Sequence, residues 1–226
     1  MNFISHALGD LLRIIYNFIG DYGYSIIVFS IIAKTILLPL NIKQTQSMKK
    51  MNVLNPKMKE LQEKYKNDKT KLNEKLLELY KEHNYNPASG CLPLLIQLPI
   101  IFALFSVIQN PTTYVFTAEQ FANISRSFLW LPDLSTADPI YILPVLSAIT
   151  TFIQTKMVTP PAPTSGAKDP SASTMSTMNN VMPIMIGVMS LKFPSGVVLY
   201  WVISNLFTIA QQYFMMKPTV ISKEVK

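Results

Sequence analysis

Five apolar segments interrupt the chain, and their lengths predict membrane-spanning helices. A hydrocarbon core about 30 Å thick needs about 20 helical residues, and four of the segments come near that length. The fourth in chain order is shorter, with a continuous apolar run only from Val181 to Leu191. The short sequence KFPSG joins it to the last segment, so these two are predicted to form a tight hairpin. The predicted spans are residues 23–40, 91–108, 140–157, 178–191 and 194–216.

The first 20 residues have a periodic rather than a continuous apolar pattern. They lack the basic start and the uninterrupted apolar core of a secretory signal, although an unusual signal is the alternative. The pattern predicts an amphipathic helix over residues 1–20 that lies on the outer membrane surface. The apolar positions at the spacing of one helical face are Ile4, Leu8, Leu11, Ile15 and Phe18.

Residues 41–89, between the first two spans, are polar and rich in lysine. One apolar stripe at helical spacing runs from Met51 to Tyr65 and a second from Leu72 to Tyr80. Asn67–Asp68 provides a turn between them, and Thr70 can cap the second helix. The pattern therefore predicts a helical hairpin with an apolar seam and a lysine-rich exterior.

Composition agrees with a membrane protein and excludes several other classes. Apolar residues make up 49% of the 226 residues and charged residues 15%, whereas soluble domains carry about 25% charged residues. A chain with this many apolar residues is not expected to be disordered, because disorder requires low hydrophobicity. Its single cysteine cannot form an internal disulfide. The net charge is nevertheless +7, so the basic residues must be concentrated in particular segments.

The distribution of charge predicts the orientation in the membrane. Residues 41–90 hold eleven lysines against six acidic residues, whereas residues 109–139 hold one arginine against three acidic residues. The positive-inside rule places the lysine-rich segment, the flexible loop at residues 158–174 and the short tail at residues 217–226 in the cytoplasm. The N-terminus is then outside, and Lys192 is the one lysine on that side. The predicted fold is all-α: a polytopic membrane protein with five transmembrane helices over residues 21–216.

The side chains offer little for catalysis. His6 and His83 lie on opposite sides of the membrane in this topology, and the chain has no phosphate-binding GxxxxGK[ST] loop. No segment has the aromatic pattern of an RNA-binding motif, so no specific nucleic-acid partner is predicted. The lysines of the hairpin can instead face water, anionic lipid or ribosomal RNA. We predict no enzymatic activity, no metal and no cofactor.

Lys34 is the candidate functional residue. It lies eleven residues into the first predicted span, or about 16 Å along a helix. A charge at this depth costs roughly 2.5–3.5 kcal/mol on insertion scales and indicates function by default. The alternative is that the side chain extends to the cytoplasmic interface. Because no acidic residue lies in any predicted span, a hydrated cavity is the simplest environment for this amine.

Polar stripes on three parallel spans support such a cavity. The stripes favour a groove that is open to the cytoplasm and closed outside. Hydrogen bonding between helices, which is common in membrane bundles, is the alternative for any single residue. The proposed groove residues are Lys34, Gln154, Trp201, Ser30, Thr150, Asn205, Thr208 and Gln211, with Ser147, Thr151, Ser204 and Gln212 on the same stripes.

Four segments resemble the YidC and mitochondrial Oxa family of membrane protein insertases. GCLPLLIQLPI, from Gly90 to Ile100, is similar to the second-span signature of the family, and the sequence from Phe193 to Gln212 is similar to its last span. NPKM at Asn55 to Met58 resembles its cytoplasmic hairpin, and the sequence from Trp130 to Leu146 resembles the entry to its third span. The likeness runs from Gly20 to Met216, in the short form without a large extracytoplasmic domain.

The resemblance implies a five-span insertase in the bacterial inner membrane, with a hydrophilic groove and a cytoplasmic hairpin. It implies nascent membrane proteins, the ribosome, the Sec translocon and the lipid bilayer as partners. Lys34 stands where the family has a groove arginine that faces nascent chains, and Gln154 and Trp201 match two further groove positions. Lysine keeps the charge but lacks the two-pronged donor geometry of arginine.

The leading hypothesis is therefore an insertase that receives a nascent chain in the groove and releases its helix into lipid. A small anion or solute transporter that uses Lys34 as its charged site is the alternative. Transporters of that kind commonly show internal repeats, and none is visible here. A structural scaffold, in which the groove residues are freely replaceable, is the third hypothesis.

Overall fold

A computed structural model describes residues 2–85, 92–158 and 181–216. These residues are mostly helical and contain no strand; an isolated bridge pairs Phe128 with Leu131. The mainly helical fold predicted from the sequence is therefore confirmed. The helices are α1 Asn2–Ile19, α2 Tyr22–Ile36, α3 Leu38–Lys64, α4 Lys69–Glu82, α5 Leu92–Gln109, α6 Pro111–Tyr114, α7 Ala118–Asn123, α8 Ile142–Val158, α9 Val181–Ser190 and α10 Ser195–Met216.

Helix α1 presents three different faces. Leu12 and Ile15 are buried in the main core, against α2 and α5. Phe3 and Phe18 are 85% and 87% exposed and form part of a second apolar face that is directed away from the core. A third face is polar, as the ion pair between Asp10 and Arg13 illustrates. The predicted apolar face is thus divided, because Ile15 packs inward while Ile4 and Phe18 point away from the bundle.

The first predicted span is broken near its end. α2 stops at Ile36, and α3 starts at Leu38 in a direction that differs by 59°. The break precedes Pro39, because proline fits the first turn of a helix but disrupts a helix interior. Within the described ranges no single helix has the length and apolarity of a membrane span, but α2 and the first part of α3 meet that criterion together.

Helices α3 and α4 form a hairpin with its own small core. Leu54, Leu79 and Tyr85 are buried there, and Met58, Leu61 and Tyr80 pack around them. Burial raises the pKa of Tyr80. The second helix is capped by Asp68, whose carboxylate accepts from the Lys71 backbone N–H, and not by Thr70. Asp68 is the cap because it lies immediately before the first helical residue, Lys69, whereas Thr70 lies inside the helix. Asn86–Pro87, the predicted end of the hairpin, lies outside the described residues.

Residues 110–141 close one end of the bundle, called here the loop end; the end that carries α3 and α4 is the hairpin end. At the loop end, the Ser195 N–H donates to the Thr136 carbonyl at 2.7 Å and the Gly196 N–H to the Leu134 carbonyl at 2.9 Å. These bonds satisfy backbone groups that the start of α10 leaves free. The loop is thereby fixed on top of α10.

The same loop caps α8 through one buried carboxylate. Asp138 accepts from the backbone N–H of Leu143 at 2.7 Å and of Ile140 at 3.1 Å. A further ion pair at 2.8 Å joins Arg126 to Asp133 within the loop. Because α2, α8 and α10 all begin at the loop end, they run in the same direction.

The main apolar core fills the half of the bundle next to the loop end. α10 packs most extensively against α8 and α2. The fully buried residues come from α1, α2, α5, α10 and the loop, and include Leu12, Ile26, Phe29, Leu104, Ile108, Leu131 and Leu134. The polar side chains of interest lie toward the other half of the bundle.

Candidate functional site

Lys34 lies in the last turn of α2 and is buried inside the bundle. Its side chain is only 9% exposed, and its amine donates a hydrogen bond to Oε1 of Gln97 on α5, 3.2 Å away. The sequence predicts a hydrated cavity around an unpaired cation, whereas the structure gives the cation a neutral amide partner. A neutral partner solvates the amine without cancelling its charge.

Gln97 is in turn held by α10. Its amide nitrogen donates to the hydroxyl of Tyr200 at 2.7 Å. The ring of Tyr200 packs on Phe29 of α2, with 6.3 Å between the ring centroids. Because the ammonium can only donate, the amide oxygen of Gln97 must face Lys34 and the amide nitrogen must face Tyr200. Two hydrogen bonds, from Lys34 to Gln97 and from Gln97 to Tyr200, thus join α2, α5 and α10.

The amine of Lys34 retains binding capacity. An ammonium has three N–H donors, and in the described part of the chain Gln97 is the single side chain that accepts from it. None of the ion pairs among the described residues involves Lys34. Within the described ranges, two donors and the charge of this amine are thus left for an acceptor from outside the protein. The arrangement suits a carboxylate or another anion.

A second polar group joins α8 to α10 and is called here the α8–α10 clasp. Asn205 donates from its amide nitrogen to the hydroxyls of Thr151, at 2.9 Å, and Thr150, at 3.1 Å. Trp201 donates from its ring nitrogen to the same Thr151 hydroxyl at 3.1 Å. The predicted groove residues Trp201, Asn205 and Thr150 are therefore joined through Thr151 and Asn205 across a helix interface, as the alternative interpretation of the stripes proposes.

The other predicted groove residues are not joined to Lys34. Ser30 and Thr208 donate to carbonyls of their own helices, as hydroxyl side chains often do in helices. Gln154 is half-buried on α8. Gln211 donates to the sulfur of Met215, and its oxygen is buried with no partner in the described ranges. These side chains remain candidates for contact with a guest chain.

Ser147 belongs to a different contact from the rest of its stripe. Its hydroxyl lies 3.0 Å from the hydroxyl of Ser190, and both groups are buried. It thus joins α8 to α9, while Thr150 and Thr151 join α8 to α10. A single helical stripe in the sequence serves two neighbours because α8 lies between α9 and α10.

Gln97 and Tyr200 are functional candidates that the sequence interpretation misses. Gln97 is the only polar residue from Leu92 to Phe105, which is a signal that sequence reasoning could use. Tyr200 carries no such signal, because a tyrosine in an apolar span is usually part of the core. Among the described residues, no group of three His, Cys, Asp or Glu side chains could hold a metal ion.

Removal of the Thr151 hydroxyl should weaken the α8–α10 clasp. Thr151→Val deletes the acceptor shared by Trp201 and Asn205, so we expect the free energy of unfolding in detergent micelles to fall by about 0.6–1.7 kcal/mol. Thr155→Val is the matched control, because the Thr155 hydroxyl bonds only to a carbonyl of its own helix. Equal losses in the two variants, measured by thermal or denaturant unfolding, would contradict a role for the clasp.

The chain matches a family model described as the 60Kd inner membrane protein over residues 14–223. It is 43% identical to the membrane protein insertase YidC of Fusobacterium nucleatum over 216 residues, which are 96% of each chain. It is 47% identical to the YidC insertase of Clostridium perfringens over 85% of this chain and 78% of that one.

Longer proteins also contain the matched region. The YidC insertase of Citrifermentans bemidjiense is 40% identical over 95% of this chain but only 37% of its own length. A crystal structure of an active YidC insertase, with its first transmembrane domain resolved, superimposes with a TM-score of 0.65 and 33% identity. That superposition covers 88% of this chain and 43% of the solved one.

Proposed function

The chain belongs to the family of the YidC membrane protein insertases, and we propose that it inserts nascent membrane proteins into the bacterial inner membrane by holding a polar segment at Lys34. Two observations about one residue support this proposal. The Lys34 amine is buried, and its described partner is a neutral amide that leaves the positive charge in place. A charge that no carboxylate compensates attracts an acidic segment of a guest chain.

The groove proposed here lies among α2, α8 and α10, toward the hairpin end. Lys34 supplies its charge, and Gln154, Trp201, Ser30, Thr150, Asn205, Thr208 and Gln211 supply polar groups. Polar groups in such a groove lower the free energy needed to carry a hydrophilic segment into the hydrocarbon region. No covalent step is required, because the guest only changes its surroundings.

The apolar helix of the guest is released along α8. The outward face of α8 exposes Val145, Ile149 and Phe152, and α9 exposes Ile184 and Val188. Apolar side chains of this kind can pack against lipid tails or against an apolar guest helix. A guest helix whose polar end is held near Lys34 can therefore leave the bundle sideways into lipid.

The proposed topology has five spans, with the loop end outside and the hairpin end in the cytoplasm. The lysines of α3 and α4 then obey the positive-inside rule. α1 lies in the outer interface, with Leu12 against the bundle, Phe18 toward lipid and Arg13 toward water. The cytoplasmic lysines are suited to contact the ribosome and anionic lipid, and the Sec translocon is proposed as a further partner from the family alone.

The comparisons do not support the alternative of a small anion or solute transporter, because the matched relatives are insertases. The main core also fills the loop end of the bundle, where a transporter needs a second opening. If the chain were a scaffold without a groove function, Lys34 and its neighbours could be replaced without loss of insertion activity. Substitution of Lys34 tests this hypothesis directly.

Photocrosslinking to a stalled nascent chain tests the proposed route. The full chain carries a photoreactive amino acid at Gln154 or Gln211 and is reconstituted in liposomes with a ribosome-bound single-spanning substrate. We expect crosslinks to the polar segment from both positions. The control position is Tyr141, which is exposed at the loop end. Crosslinks from Tyr141 that equal those from Gln154 would contradict a groove that opens toward the hairpin end.

A further inference from the structure

We propose that Gln97 is a positioning residue that holds the Lys34 amine in its receiving geometry, and that Tyr200 orients Gln97. The inference rests on the proposed function, in which Lys34 receives an acidic segment. The observations that carry it are the bonds of 3.2 Å from Lys34 to Gln97 and of 2.7 Å from Gln97 to Tyr200. Together they connect three helices that are distant in sequence.

A lysine at this site needs a hydrogen-bond partner that fixes the position of its amine. Its flexible four-carbon stem carries a compact charge, and it lacks the rigid fork that fixes an arginine in place. An unheld amine would sample several rotamers, some of which point toward the cytoplasmic interface. The bond to Gln97 fixes one of the three N–H donors, so the other two are presented in a defined direction before a guest arrives. Preorganisation of this kind strengthens binding without a new contact to the guest.

Tyr200 anchors the Gln97 amide in the orientation that the donor-only lysine requires. If the amide were flipped, its NH₂ group would point at the ammonium and two donors would oppose each other. The phenol oxygen accepts from the amide nitrogen and so stabilises the productive orientation. Tyr200 is itself 1% exposed and packs on Phe29, so its hydroxyl has a fixed position.

The neutrality of Gln97 is part of the inference. A carboxylate at position 97 would form an internal ion pair with Lys34 and would compete with the acidic segment of a guest. An amide solvates the amine but leaves its charge for the guest. Gln97→Glu should therefore abolish the preference for acidic segments, although it changes one atom of the side chain and keeps its length.

The test measures insertion of two substrates that differ only in their translocated tail, which is acidic in one and carries the matching amides in the other. The full chain is reconstituted in liposomes as wild type, Lys34→Ala, Gln97→Glu and Tyr200→Phe. The readout is the ratio of the two insertion rates, because a purely structural defect slows both substrates alike and leaves the ratio unchanged. We expect Gln97→Glu to lower the ratio as far as Lys34→Ala does, by about tenfold, and Tyr200→Phe to lower it about threefold.

The outcomes separate the inference from the function on which it rests. A ratio that falls in all three variants supports both. A ratio that falls in Lys34→Ala but stays at the wild-type value in Tyr200→Phe overturns the positioning roles and leaves the role of Lys34 intact. A ratio that Lys34→Ala leaves unchanged overturns both. Tyr200→Phe removes a single hydroxyl and adds no charge, so it decides the question if Gln97→Glu fails to fold.

Discussion

Lys34→Ala is expected to lower the insertion rate of a substrate with an acidic translocated tail by about 10- to 100-fold. The variant removes the buried ammonium that would bind the tail, and a hydrogen bond to a charged group contributes about 1.5–3 kcal/mol. A substrate with an uncharged tail should lose much less, because it gains nothing from the charge. Insertion into liposomes, measured by protease protection of the tail, provides the comparison.

Two further variants make this prediction specific to Lys34. Lys34→Arg should retain most of the activity, because it keeps the charge and offers additional donors. Lys192→Ala removes a lysine that is exposed at the loop end and should leave insertion unchanged. If Lys34→Ala inserted the acidic substrate as fast as the wild type, the proposed role of the buried amine would be wrong.

Gly23→Ala is expected to lower the free energy of unfolding by about 1–3 kcal/mol, the usual effect of overpacking. A Cβ atom at Gly23 would overlap the ring of Phe128 and lie 2.8 Å from the Phe128 Cβ. Phe128 cannot move aside easily, because its backbone makes two hydrogen bonds with Leu131. Helix propensity alone predicts a gain of up to about 1 kcal/mol from the same substitution, so the sign of the measured change identifies the cause.

A double-mutant cycle provides the control for the glycine contact. Phe128→Ala removes the ring that the added methyl group would meet, so Gly23→Ala should be nearly harmless in that background. Gly9→Ala offers a contrast, since its Cβ would meet the backbone of Tyr114 and truncation of that side chain cannot restore the space. Strictly additive effects of the Gly23 and Phe128 substitutions in detergent unfolding would show that the two sites do not interact.

The sequence predicts much of the fold because the main signals are local. Apolar runs and helical stripes place α1, α5, α8 and α10 close to their observed bounds. The break at Leu37 could also have been predicted, since Pro39 lies two residues after it. The Asp68 cap is a similar case, in which the structure shows which of two neighbouring capping residues begins the helix.

The candidate site is harder to predict from the sequence, because its contacts join residues that are far apart along the chain. Helical periodicity predicts that Thr150, Thr151 and Asn205 lie on inward-facing stripes, and they do. It does not predict that they hydrogen-bond to one another, nor that Lys34 donates to Gln97. Periodicity gives the direction of a side chain about its own helix axis, but not the identity of the side chain opposite.

The sequence by itself determined that this is a helical member of the YidC insertase family with one lysine deep in its first apolar run. It did so because hydropathy, helical period and family motifs are properties of contiguous residues. Only the tertiary structure decided that the lysine donates to Gln97 and that Gln97 donates to Tyr200, residues that lie 63 and 166 positions further along the chain than Lys34. That pairing depends on how three helices pack side by side, and packing is a property of the assembled bundle rather than of any one segment.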